Sequence, residues 1–231
     1  GIVAGEVDFV RQVYMTNDKA DIVGKLAKDN KFDLSVHAPY FVNLNSNDKV
    51  KVDASMKRIV DSCERAHHMG AKNVVFHSGY YGKDSKEKTF ETIRDRLLKI
   101  SDKVKKFDVN LCPETMGKIN VFGSFDEIMG LVKEVKCGFC MDFAHMKSRH
   151  LGNLDFEDYV KKIKNFKHVH CHYSGIEWTD KGEKKHIPVD MKEGKMLLGL
   201  LHKHKVNCTI ICESPDTYED TLKLNKILSK F

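Results

Sequence analysis

Short apolar, β-branched runs alternate along this chain with longer stretches whose apolar positions recur every three or four residues. The short runs predict strands at Glu6–Val10, Leu34–His37, Asn73–His77, Val109–Glu114, Gly138–Phe143, His168–His172 and Thr209–Glu213. Between them lie amphipathic helices. Met56, Ile59, Val60, Cys63 and Ala66 mark one buried helical face, and Phe90, Ile93, Leu97, Ile100 and Val104 mark another. The first of these ends in Met69-Gly70, where glycine can adopt the left-handed conformation that stops a helix. Strand–helix repeats with no antiparallel hairpin signal imply a parallel sheet with helical crossovers.

The polar residues that interrupt this pattern sit at the strand ends. His37 closes LSVHAPY, His77 closes NVVFHSG and Glu114 closes VNLCPET. Asp142 with His145 closes GFCMDFAH, His172 closes HVHCHYSG and Glu213 closes TIICESPD. An open sheet would feed its ligand site from a few strands. Only a closed barrel brings so many strand ends around one centre, so the expected fold is an α/β TIM barrel with its site at the C-terminal face. A full barrel needs eight strands, and the pattern supplies one fewer. The opening GIVAGEVDFV reads as a helix end running into a strand, so this chain is expected to lack the first βα unit of its barrel. Without that unit, sheet edges would be exposed. No linker, repeat or low-complexity tract divides residues 1–231, so a single domain is expected.

Composition narrows the picture modestly. A hydrophobic fraction of 41% suffices for a sizeable core, and a formal charge of +6 is compatible with an anionic partner such as nucleic acid. The seven cysteines are an odd number, mostly inside apolar runs, which reads as buried thiols in a reducing compartment. Cys137 and Cys140 form a lone CxxC with no second pair, and are read as structural. No apolar stretch approaches the roughly 20 residues a bilayer span requires, and the start is not signal-like. The expected location is the cytoplasm, associated with the nucleoid, or the nucleus in a eukaryote.

Histidine nitrogens and carboxylates are zinc donors, and a carboxylate can bridge two ions. His37, His77, His145, His172 and His186, with Glu114, Asp142 and Glu213, are too many donors for one ion and suit two or three. Two ions about 3.5–4 Å apart can clamp a phosphate for in-line attack.

These motifs resemble those of the endonuclease IV family of abasic-site DNA endonucleases, zinc barrels of the xylose-isomerase-like type. HAPYFVNL supplies a histidine, an intercalating-loop tyrosine and an Asn-Leu as His37, Tyr40, Asn43 and Leu44. FHSG matches at His77, ETMG at Glu114, DFAH at Asp142 and His145, and HYSG at His172, with Glu213 after the last strand. The resemblance implies one zinc on His37, His77 and Glu114, and a second on Glu114, Asp142, His172 and Glu213. It implies a third on His145 and a downstream Asp-x-His pair. Here the chain departs from the family. His186 fits the histidine, but Lys184 occupies the aspartate position, and Glu183 is the substitute one residue earlier. The family's basic, aromatic loop is also reduced: VYMTNDKAD offers only Arg11 and Tyr14 nearby, which implies either weaker lesion recognition or recognition through Tyr40, Trp178 and the surrounding lysines.

The function this resemblance implies is a zinc-dependent DNA repair endonuclease. It would act as a monomer on double-stranded DNA, cleaving the phosphodiester 5′ to an abasic site by a metal-activated hydroxide at Glu114, with Tyr40 and Asn43 on the substrate side. A single-metal sugar isomerase or epimerase on the same barrel remains an alternative. It would need the Glu114, Asp142, His172 and Glu213 cluster but not the additional histidines. A non-catalytic nucleic-acid binder is a third. His67, His68, His202 and His204 read as surface residues and His150 as loop. His168 and His170 share the face of His172 by strand alternation, with His170 one layer deeper, and neither is assigned as a ligand.

Overall fold

The computed structural model describes residues 1–231. Contacts group them into two compact units: Val3–Met116 with Asn120–Phe139, and Cys140–Phe231 with Gly1–Ile2 and Gly117–Ile119.

The N-terminal unit alternates strand and helix without exception. β1 (Ala4–Asp8), β2 (Asp33–His37), β3 (Asn73–Phe76) and β4 (Asn110–Pro113) form a parallel sheet in chain order. The intervening helices are α1 (Asn17–Asp29), α2 (Lys49–Met69) and α3 (Lys86–Val104), and α4 (Phe125–Val135) follows β4. The helical periods read from the sequence are the buried faces, except that Val60 and Phe90 are only half-buried. Met56, Ile59, Cys63 and Ala66 are buried on α2, and Ile93, Leu97, Ile100 and Val104 on α3. Each helix starts on a side-chain cap: Thr16, Asp48, Ser85 and Ser124 accept from backbone amides of the first turn, each worth about 1 kcal/mol. Ser124 with Glu127 completes a capping box. Gly70 ends α2 at φ +70°, as its sequence position predicts.

The C-terminal unit contains β5 (Cys140–Asp142), α5 (Phe143–Arg149), α6 (Phe156–Ile163), β6 (Val169–Tyr173), β7 (Gly175–Thr179) and β8 (Gly182–Ile187). These are followed by α7 (Met191–Lys203), β9 (Cys208–Cys212) and α8 (Thr217–Leu228). β5, β6 and β9 pair in parallel in that order. The strands anticipated from the sequence are thus all present and parallel, most ending within a residue of the anticipated position.

The structure differs from the sequence pattern in two places. β1 spans Ala4–Asp8 rather than Glu6–Val10, because the chain turns sharply at Val10, whose φ is +46°. The expectation of no antiparallel hairpin is overturned by β7 and β8, which pair antiparallel across Asp180-Lys181. Gly182, at φ +88°, allows the tight return. β8 hides from pattern reading because Glu183, Lys184, Lys185 and His186 are four polar residues in succession.

All seven cysteines are free thiols, and burial pushes the Cys137 thiol up to about 12. No helix is long and apolar enough to cross a membrane.

Candidate metal centre

In the N-terminal unit, His37, His77 and Glu114 converge at the carboxyl ends of β2, β3 and β4. The ladder carries them there: Ala38 N–H donates to the Val75 carbonyl (2.8 Å) and Glu114 N–H to that of Phe76 (3.1 Å). His37 is the last residue of β2, while His77 and Glu114 each follow their strand directly. The His37 Nδ1–H donates to the Ala38 carbonyl at 2.7 Å. That bond selects the tautomer whose Nε2 is the ligand atom. His37 Nε2 lies 3.3 Å and His77 Nε2 3.0 Å from the same oxygen, Oε2 of Glu114. Glu114 is only 1% exposed. A carboxylate this buried is costly without compensating positive or donor groups. One ligand atom from each residue lies within 4.8 Å of the others. Two imidazole nitrogens and a carboxylate oxygen are a donor set that zinc accepts.

Tyr40 borders this set. Its ring centroid is 5.2 Å from that of His37 and 5.5 Å from that of His77, and its hydroxyl donates to Asp8 Oδ2 at 2.6 Å. Tyr40 is 41% exposed. Asp8 accepts from Val10 N–H through its other oxygen (2.8 Å), and Tyr40 N–H donates to the Val10 carbonyl (2.9 Å). A β-branched residue in the left-handed region costs on the order of 1–3 kcal/mol and persists only where its surroundings impose it. Here Asp8 and Tyr40 impose it. Asp8 is not evident from the sequence, because the apolar pattern places the first strand two residues late. Asn43 uses its side-chain oxygen within the loops, accepting from Asn45 N–H (3.0 Å) and Tyr80 N–H (3.4 Å).

The C-terminal unit carries its own group of donors. Asp142 ends β5 and caps α5, accepting from His145 N–H at 2.7 Å. The Asp-x-x-His spacing is therefore the first turn of a helix, and it brings Asp142 Oδ2 to 3.2 Å from His145 Nδ1. His145 Nε2 faces His186 Nε2 at 3.2 Å and Glu183 Oε2 at 3.6 Å. His186 is oriented through its other nitrogen, Nδ1, which lies 3.1 Å from both the Glu213 carbonyl oxygen and Ser174 Oγ. Asp142, His145 and His186 also bring ligand atoms within 4.8 Å of one another. His172 Nδ1 stands 3.2 Å from Glu213 Oε1.

Glu183 owes its place to local backbone. Its N–H donates to the Gly117 carbonyl at 3.2 Å. A side chain at Gly117 would strike Ser148 Oγ at 2.5 Å and Glu183 Cβ at 2.7 Å, so the approach depends on glycine there. Ser174 is the supporting residue that sequence reasoning does not single out, although it lies inside the HYSG motif.

Comparison with known proteins agrees with this layout. Residues 3–228 match the family model described as the xylose isomerase-like TIM barrel, a fold whose active sites lie at the carboxyl ends of the strands. An uncharacterized protein of Methanocaldococcus jannaschii is 37% identical over 96% of this chain and 86% of its own length. A protein of Mycoplasmopsis pulmonis named "Probable endonuclease 4" is 28% identical over 80% of this chain and 71% of its own. Among solved structures, a D-tagatose 3-epimerase-like protein superposes with a TM-score of 0.74 at 19% identity, covering 99% of this chain and 87% of that one. That likeness concerns the fold alone.

Proposed function

The chain belongs to the xylose isomerase-like TIM barrel family, and from that premise we propose that it is a zinc-dependent endonuclease that cuts DNA on the 5′ side of abasic sites. The observation that carries the reading is the surplus of imidazole donors. His37 and His77 meet on one oxygen of Glu114, and His145 meets His186 Nε2 to Nε2. A one-ion sugar epimerase has no use for these four. Their motifs are those of endonuclease IV, and curated relatives carry that name.

In this reading His37, His77 and Glu114 hold one zinc, and Glu114, Asp142, His172 and Glu213 a second. His145, His186 and Glu183 hold a third. Bound zinc supplies Lewis acidity toward phosphate oxygens and lowers the pKa of water toward neutrality. The chain's own part is positioning. Ala38 and Glu213 carbonyls orient the His37 and His186 rings, so no reorganisation is needed when the phosphate arrives. Tyr40, fixed to Asp8 but open to solvent, enters the duplex beside the lesion, and Asn43 shapes the loop that presents it. Extruding a nucleotide costs least where its base is already missing. Lysines on the β7–β8 hairpin, beside Trp178, contact phosphates without reading sequence. The protein acts as a monomer in the compartment that holds the DNA.

Glu114→Gln tests the assignment. It keeps the side chain's size but removes the bridging charge, so incision of an abasic duplex should vanish while duplex binding survives. Normal turnover by this variant contradicts the reading.

A further inference from the structure

Strand register places a second group of ligating side chains beside the first. Across β5 and β6, Asp142 pairs with His172, and one step earlier on the same face Cys140 pairs with His170. Alternate residues of a strand share a face, about 6.6 Å apart along parallel strands. Beneath the Asp142–His172 layer therefore lies a Cys140–His170 layer. In barrels such layers are ordinarily filled by branched apolar side chains. Here Cys140 and His172 are fully buried and His170 is 3% exposed. One ligand atom each of Cys140, His170 and His172 lies within 4.8 Å of the other two. The two rings stand 5.4 Å apart at 74°, an edge-to-face arrangement.

We propose that Cys140, His170 and His172 form a distinct metal site for a thiophilic divalent ion, with zinc the best match to its donors. A thiolate and two imidazoles are a zinc donor set, with Zn–S about 2.3 Å and Zn–N about 2.0–2.1 Å. These lengths require donor atoms roughly 3.3–3.8 Å apart at tetrahedral angles, a contraction that small side-chain rotations provide. His172 serves both layers. It meets Glu213 through Nδ1 and offers Nε2 to the inner ion. Binding converts the Cys140 thiol to thiolate, and where His172 also holds the outer zinc through Nδ1 its imidazole becomes imidazolate; both protons pass to solvent, with no change in oxidation state. The fourth position is left for water. Sequence alternation alone assigns Cys140 to packing and leaves His170 without a role. The cross-strand pairing joins them. The site goes beyond the endonuclease reading, which places no sulfur among its metal ligands, and shares with it only His172.

Cobalt(II) titration of the metal-free, full-length protein tests it. The expected result is a near-ultraviolet thiolate-to-cobalt charge-transfer band. It should be lost in Cys140→Ser, weakened in His170→Gln, and unchanged in Cys137→Ser. Absence of the band in the wild-type protein overturns the proposal, as does its persistence in Cys140→Ser. Should Cys140→Ser fail to fold, zinc X-ray absorption of the wild-type protein decides. A sulfur scatterer at about 2.3 Å supports the site, and a shell of nitrogen and oxygen alone overturns it. Abasic-site incision, measured separately, tests the endonuclease reading and is not at stake in either result.

Discussion

Glu183 and His186, three residues apart on β8, present their side chains to the same partner, His145 Nε2, at 3.6 and 3.2 Å. Regular alternation would put residues at that spacing on opposite faces. A β-bulge resolves the conflict. Trp178 pairs with Glu183 and Glu177 with Lys185, so Lys184 is an extra residue without a partner position on β7. Lys184 and Lys185 consequently point the same way, and both reach the Glu177 carboxylate, at 3.1 and 3.5 Å. The bulge puts Glu183 and His186 on one face despite their Glu-x-x-His spacing, as the proposed third zinc requires.

Deletions within β8 should therefore differ in their effects. Removing Lys184 shortens the segment to Glu-x-His in a regular strand, so both side chains stay on one face and zinc content holds. Removing Lys184 and Lys185 together makes the two ligands adjacent and opposed, and zinc content should fall by about one ion, as in Glu183→Gln. Elemental analysis of the purified variants decides. Zinc loss on deleting Lys184 alone, as large as in Glu183→Gln, contradicts the role given to the bulge.

Tyr40 makes a separable contribution. Stacking of an aromatic side chain on a base is worth about 1–3 kcal/mol, roughly a tenfold change in affinity or more. Tyr40→Ala should weaken binding of an abasic duplex by about that factor and leave zinc content unchanged. Tyr40→Phe, which keeps the ring but loses the bond to Asp8, should lose less. Equal duplex affinity in Tyr40→Ala and wild type removes Tyr40 from the DNA interface.

Stability should depend on pH through Asp220. This carboxylate is 1% exposed and accepts from Val189 N–H (2.8 Å), Ser214 Oγ (2.6 Å) and Lys223 Nζ (3.2 Å). Burial alone would raise its pKa. The bonds from Ser214, Val189 and Lys223 together outweigh burial and leave it below the ordinary carboxylate value. With a lowered folded pKa, the stabilisation is complete above the unfolded value of about 4 and is lost as pH falls through the folded one. Asp220→Asn should cost on the order of 1–3 kcal/mol at neutral pH. Denaturant midpoints measured from pH 7 downward should show wild type converging on the variant. A gap that stays constant to low pH refutes this role.

What can be read from the chain depends on whether the signal is local. His37, Glu114 and Glu213 announce themselves because a polar group terminating an apolar strand is visible in a few residues, and Asp142 and His145 because their spacing is a helix cap. Phe90 aside, the apolar period of α3 is its buried face. The β7–β8 hairpin is hidden because a bulge at Lys184 breaks the period-two signal and polar residues fill β8. Asp8 is hidden because backbone strain at Val10 ends β1 early, which propensity does not reveal. The pairing of Cys140 with His170 is set by register between strands about thirty residues apart in sequence, a tertiary fact that no window along the chain contains.

The endonuclease reading stands or falls on incision of a duplex carrying a single abasic-site analogue, with both ends of the break mapped and a chelator control alongside. The expected product is a cut on the 5′ side of the lesion that leaves a 3′-hydroxyl and a 5′-deoxyribose phosphate, is abolished by chelation, and returns with zinc. A folded, zinc-loaded protein that leaves the lesion strand intact would contradict it. If such a protein also bound about one ion per chain, the sugar-epimerase reading would take its place.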